Sequence, residues 1–260
     1  MNALADRFAT AISLATEAGV LALRMRPPLG AQAARLKGAQ DWLTEADGAV
    51  ERMLSERLAD AYPQDGFQGE EGGRARSGKL YWVADPIDGT ANFMRGGNRF
   101  CVSLGCLDGD TPVIGVIVAP ALKETFAACR GAGATLNGAA IRAAGTTELT
   151  RATVELGWSK RPPHQEFVAL TDRIIAAGTM PRLNGSGALG LADVAAGRID
   201  AYVELHTNLW DVAAGMAILT EAGATVSPFM SGNGAVAGNA ILAAAPGIAV
   251  ALSAATGIAL

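Results

Sequence analysis

Histidine and cysteine are scarce in this chain, and the scarcity removes whole classes of chemistry. Two histidines, His164 and His206, are too few for a His-rich zinc site and make a Ser-His-Asp triad hard to assemble. The three cysteines, Cys101, Cys106 and Cys129, show no metal-ligand spacing. Their odd number and apolar neighbours fit reduced, buried thiols in a cytoplasmic protein better than a disulfide framework. Charge is sparse too: Lys+Arg 21 against Asp+Glu 25 in 260 residues, 18% charged with a net charge of -4, leaves no basic footprint for nucleic acid. With 50% hydrophobic residues the chain supports a large core, which excludes disorder. No charged residue follows Glu221, yet the apolar stretch from Gly234 to Leu260 is broken by Asn239, Pro246, Gly247, Ser253 and Gly257 and lacks flanking Lys or Arg. It reads as a buried strand, Ala240 to Ala245, and a final core helix, with no membrane association expected.

What is abundant is turn-forming residues, Gly 32 and Pro 11, between short apolar elements, which suggests a mixed α and β protein. Residues 1–26 repeat apolar positions at helical spacing after early acids, so they read as an amphipathic helix rather than a signal peptide. Lys37 to Asp41 reads as a loop, and Thr44-Glu45-Ala46-Asp47 as a capping box opening a helix with Val50, Met53, Leu54 and Leu58 on one face. Leu80 to Ala84 reads as a strand ending at Asp85-Pro86; Phe100 to Leu107, Val113 to Ala119 and Thr125 to Cys129 follow as strands. In the second half, Ala152 to Trp158 and Ile199 to Leu205 read as strands, with helices over Gln165 to Ala177, Ala188 to Ala196 and Asp211 to Ala222. This change of pattern divides the chain near Thr146, into residues 1–146 and 147–260.

The most informative segment is Asp85-Pro86-Ile87-Asp88-Gly89-Thr90-Ala91-Asn92-Phe93, where an apolar run meets two carboxylates flanking a proline. Pro86 keeps Asp85 extended and Gly89 lets the backbone turn, so the two acids can converge; an ordinary Pro-x-Asp-Gly turn with solvated acids is the competing reading. The glycine falls at the fifth position from Asp85, which fails the EF-hand pattern. Two residues between the aspartates, with Pro86 at the nucleophile position, argue against the haloacid dehalogenase pattern. Two further acidic segments are Gly69-Glu70-Glu71-Gly72-Gly73 and Asn208-Leu209-Trp210-Asp211. Glu70 and Glu71 are otherwise loop charges in water, and Asp211 is otherwise a favourable charge at a helix N-terminus. Were Glu70, Asp85, Asp88 and Asp211 to share one cleft, repulsion and desolvation would protonate them unless divalent cations balanced the charge, and an oxygen-only cluster implies Mg²⁺.

On these motifs, taken in order with Glu221-Ala222-Gly223, the chain resembles the inositol monophosphatases, within the magnesium-dependent, lithium-sensitive phosphatases that include fructose-1,6-bisphosphatases. Weaker echoes are Asp41-x-x-Thr44-x-x-Asp47, Gly185-Ser186-Gly187 and Ala237-Gly238-Asn239. The resemblance implies an α+β fold, a layered α-β-α-β-α sandwich of the sugar-phosphatase type with the active site between two subdomains. It implies that Glu70, Asp85 and the Ile87 carbonyl hold one Mg²⁺, that Asp85, Asp88 and Asp211 hold a second, and that a weaker third leans on Glu70. Thr90 and Asp47, with Glu70 as the alternative base, would deprotonate the attacking water; the Gly89 and Thr90 amides would grip phosphate. Asp88, Gly185, Ser186, Gly187 and Glu204 would face the alcohol, Glu204 otherwise being a solvated acid at a strand end. Trp158 and the Glu-Ala-Gly-Ala ending at Ala224 depart from the family pattern; Trp158 is otherwise a core aromatic. The implied activity is hydrolysis of a small phosphorylated alcohol, inositol monophosphate first and histidinol phosphate second, by a cytoplasmic homodimer. A non-catalytic regulatory binding protein on the same fold is the competitor from another class; the intact acids oppose it.

Overall fold

The structure, a computed structural model, describes residues 3–28, 34–38 and 41–260. Helix α1 (Ala3–Met25) buries Ala11, Leu14, Ala15, Ala18 and Ala22, the stripe its spacing predicts. By length and composition alone it could cross a membrane, but its stripe lies against helix and sheet. A hairpin of β1 (Ala34–Gly38) and β2 (Asp41–Thr44) follows. The expected loop over Lys37 to Asp41 is thereby corrected: its ends belong to paired strands, and residues 39–40 lie outside the described residues. Helix α2 (Glu45–Ala61) opens on the expected capping box, with Thr44 accepting from Ala46 N–H and Asp47 accepting from Thr44 N–H.

Strands β3 (Gly66–Gly69), β4 (Gly73–Arg76) and β5 (Leu80–Asp88) lead to the short helix α3 (Thr90–Met94). A meander of β6 (Cys101–Asp108), β7 (Thr111–Ala119), β8 (Glu124–Cys129), β9 (Ala134–Leu136) and β10 (Ala139–Ala140) completes an eight-stranded sheet ordered β10-β9-β8-β7-β6-β5-β3-β4. All its pairs are antiparallel except β3 with β5. Strand β5 does not stop at Asp85-Pro86 as the sequence suggests. It continues to Asp88 because its register with β6 shifts between Asp85, opposite Ser103, and Asp88, opposite Cys101. That bulge accommodates a proline, which has no N–H for the ladder, in an interior strand.

The chain then forms β11 (Thr153–Leu156), α4 (His164–Ala176), β12 (Met180–Arg182), α5 (Gly187–Ala195), β13 (Ala201–Thr207), α6 (Leu209–Glu221), β14 (Thr225–Val226), α7 (Gly234–Ala237), β15 (Asn239–Ala244) and α8 (Ala249–Thr256). Five strands pair in the order β12-β11-β13-β15-β14. Helices α1 and α2 cover one face of the large sheet, α5 and α6 lie between the sheets, and α4 and α8 cover the outer face of the small one. The result is the α+β layering α-β-α-β-α. Helix α6 sits unusually close to the large sheet: a Cβ at Gly115 would fall 2.1 Å from the Ala214 carbonyl oxygen, and one at Gly105 2.8 Å from the Ala213 Cβ. Two glycines thus set the depth of the helix that carries Asp211.

Candidate active site

The parallel pairing of β3 with β5 is the first step in building the site. Gly69 is in register with Ala84, so the chain leaves both strands side by side and brings Glu70 next to Asp85. Glu70 N–H donates to the Ala84 carbonyl at 3.2 Å. Past the bulge, the Asp85 carboxylate accepts the Ile87 N–H at 3.0 Å, and Gly89 takes φ +86° to turn the chain into α3. A Cβ there would also meet the Arg99 carbonyl oxygen at 2.9 Å, so glycine is required twice over.

The second half supplies the opposite wall. Asp88 accepts from the Ser186 hydroxyl, from Ala188 N–H at 3.0 Å and from Gly187 N–H at 3.3 Å, at the N-terminus of α5. Asp211 is the third residue of α6; its Oδ2 accepts from Asn208 N–H and the Thr207 hydroxyl, each at 2.8 Å. The helix-start role foreseen for Asp211 is therefore real, and it coexists with a place in the cluster. Asp85, Asp88 and Asp211 each offer a carboxylate oxygen within 4.8 Å of the others. Asp85 is 2% exposed, and burial, then Glu70, Asp88, Asp211 and Asp47, hold its carboxyl well above the usual range. Burial pushes Asp88 up to about 6, although the Ser186 hydroxyl pulls it back. Carboxylates this close, two of them buried and all offering oxygen alone, are the donor set a hard divalent cation such as Mg²⁺ needs.

One cleft of about 850 Å³ is lined by Glu70, Asp88 and Asp211 and also by Gly185, Ser186, Gly187 and Glu204. Glu204 is no solvated strand-end acid: it is 8% exposed, accepts the Tyr202 hydroxyl at 2.6 Å, and burial pushes its carboxyl up to about 8. Trp158 is 49% exposed on the cleft wall rather than a core aromatic. The Thr90–Asp47 pair implied by resemblance is not a direct contact here. Thr90 Oγ1 donates to the Ile87 carbonyl at 2.8 Å, while Asp47, buried, turns its Oδ2 to the Thr44 N–H and hydroxyl. Sequence reading also missed the brace behind the Gly185 loop. Arg99 bridges Glu155 and Asp193, Asn184 donates to Glu155, and the Asn92 amide spans the Arg99 and Asn184 carbonyls. Apart from Asn92 and Arg99, 7 residues apart, the partners lie 29 to 94 residues from one another, and no local pattern marks them.

Comparison with known proteins agrees with this geometry. The chain is 40% identical over 195 residues to the Nus factor SuhB of Xylella fastidiosa, covering 74% of this chain and 71% of that one. It is 36% identical over 217 residues to an inositol-1-monophosphatase of Mesorhizobium japonicum, covering 80% and 82%. An IMPase structure from Thermotoga maritima superposes with a TM-score of 0.86 at 30% identity, covering 97% of each chain. The pattern of the inositol monophosphatase family matches residues 4–257, and the chain belongs to that family.

Proposed function

We propose that the protein is a Mg²⁺-dependent phosphomonoesterase acting on a small phosphorylated alcohol, inositol monophosphate first. The observation that carries this reading is the convergence of Asp85, Asp88 and Asp211 within 4.8 Å, of which Asp88 and Asp211 line the same cleft as Glu204. Glu70, Asp85, Asp88, Asp211 and the Ile87 carbonyl would hold two ions, with a third weaker one on Glu70. Bound there, Mg²⁺ supplies positive charge to the phosphate oxygens and acidifies water. The chain's own residues do the rest. The first turn of α3 leaves the Gly89 and Thr90 N–H groups without intrahelical acceptors, which suits phosphate oxygens. The Thr90 hydroxyl, which donates its hydrogen bond to the Ile87 carbonyl, keeps lone pairs to accept one from the attacking water and so orient it. Asp47 would take the proton after turning from Thr44, with Glu70 the alternative base. Thr90→Val is expected to lower kcat by about 10²-fold with Mn²⁺ affinity unchanged. Wild-type kcat in that variant would transfer the role to Glu70.

Substrate choice is read from Glu204. With its carboxyl held up to about 8, Glu204 is mostly neutral at neutral pH and suits hydroxyl groups. An ammonium group, as in histidinol phosphate, would have to ionise it first. The deciding experiment measures kcat/KM for a panel of phosphomonoesters with Mg²⁺ and with chelator, on wild type and Glu204→Gln. Inositol monophosphate should rank first and lose only a few-fold in the variant, while histidinol phosphate loses more, charge-assisted bonds being roughly twice as strong as neutral ones. An equal, negligible effect on both would remove Glu204 from substrate recognition. The relative called a Nus factor supports a second reading, a regulatory binding protein on the same fold; a folded protein inactive on the whole panel would favour it.

A further inference from the structure

Helix α2 contributes a second acid to the site's surroundings. Glu51 lies one turn after Asp47, at the i+4 position and hence on the same face. It is 8% exposed, and both carboxylate oxygens are engaged: Oε2 accepts the Glu71 N–H at 2.8 Å and Oε1 the Gly72 N–H at 2.7 Å. These two amides directly follow Glu70, whose own N–H is bound to the Ala84 carbonyl of β5. The backbone around Glu70 is therefore held from both sides, by the sheet before it and by Glu51 after it. The glycines that bracket the motif have the same cause. A Cβ at Gly69 would fall 2.2 Å from the Glu51 carboxylate, and one at Gly72 2.8 Å from its Oε1.

We infer that Glu51 is a positioning residue for the metal site, clamping the loop of residues 70–72 so that the Glu70 carboxylate faces Asp85 and the cleft. Both its oxygens are taken up by the loop's N–H groups, so it acts through the loop. Two adjacent N–H donors call for two acceptor oxygens on one planar group, which a carboxylate supplies. Glutamine has one acceptor and would set its NH₂ against the other N–H. The bonds are charge-assisted, roughly twice the strength of neutral ones. Residues that orient a metal ligand through hydrogen bonds typically change metal affinity 10–100-fold when replaced. Asp47 and Glu51 thus make one face of α2 the common support of the cap at Thr44 and of the Glu70 loop. The inference rests on the proposed metal role of Glu70.

The test uses Mn²⁺ as the probe, its binding followed by electron paramagnetic resonance of the free ion, with melting temperature measured alongside. Wild type, Glu51→Gln and Gly72→Ala are compared. The expected result for Glu51→Gln is an Mn²⁺ dissociation constant raised about tenfold or more, a folded protein, and kcat largely recovered at saturating metal. Gly72→Ala, whose Cβ presses on the Glu51 carboxylate, should weaken Mn²⁺ binding in the same direction. A lowered melting temperature with wild-type Mn²⁺ affinity would make Glu51 a structural residue only and overturn the inference. Should Glu51→Gln fail to fold, Gly72→Ala decides: weakened binding supports the clamp, and wild-type affinity overturns it. A wild-type protein that binds no Mn²⁺ overturns the metal reading itself, and that failure is distinct because it appears without any substitution.

Discussion

Asp88→Asn is expected to reduce kcat by about 10³-fold or more, the scale on which removing one charge-stabilising group acts on a transition state, while the melting temperature stays within about 3 °C of wild type. The separation follows from what surrounds Asp88. Its Oδ2 takes the Ser186 hydroxyl and Ala188 N–H, and an asparagine oxygen in the same place keeps both. Only the longer bond from Gly187 N–H, 3.3 Å, loses its acceptor to an NH₂ group. The substitution also removes a buried acid whose ionisation the fold resists, since its carboxyl is pushed up to about 6. What asparagine cannot supply is the negative charge that a shared cation needs from Asp85, Asp88 and Asp211 together. Rate and stability should therefore part company. A melting temperature that falls with activity would restore the plainer reading of Asp85 to Gly89 as a structural turn.

Removing divalent metal should make stability depend on pH, with a sign the buried acids fix. Asp88 ordinarily titrates at 3.8 and is pushed up to about 6; Glu204 ordinarily titrates at 4.5 and is pushed up to about 8; Asp85 is raised as well. A carboxyl with a raised folded pKa holds its proton more tightly folded than unfolded. Between the two values the folded state binds more protons, so stability falls as pH rises through that window and the full penalty stands above it. Metal-free protein is thus expected to melt roughly 5–10 °C lower at about pH 8 than at about pH 5. Saturating Mg²⁺ should raise the melting temperature more at the higher pH, because a cation that binds only folded, ionised carboxylates offsets their repulsion. Glu204→Gln should remove the contribution Glu204 makes between 4.5 and about 8 and leave the one Asp88 makes between 3.8 and about 6. A melting temperature flat across this range without metal, or an Mg²⁺ effect equal at both ends, would contradict the acid cluster as described.

The elements readable in the sequence are those whose cause is local. The stripe of α1, the capping box at Thr44, the apolar runs of β6, β7 and β8, and the strand and helix of the last segment were all legible, because period and cap chemistry act over a few residues. Strands of two or three residues, such as β9, β10, β12 and β14, carry no period and are created by the neighbours they pair with. The motif Asp85-Pro86-Ile87-Asp88-Gly89-Thr90 announced an acidic site whose oxygen-only donors suit a hard divalent cation. Where those acids meet was decided by tertiary structure alone. The parallel register of β3 with β5 sets Glu70 beside Asp85, a bulge opposite β6 carries Asp88 past its proline, and glycines at 105 and 115 let α6 bring Asp211 close. Asp88 is held by residues about a hundred positions away, and Glu51 reaches the Glu70 loop across twenty. Hydrogen bonds and close approaches over such separations leave no periodic trace, because they depend on which surfaces the packed layers bring within 3 Å and not on the order of residues along the chain.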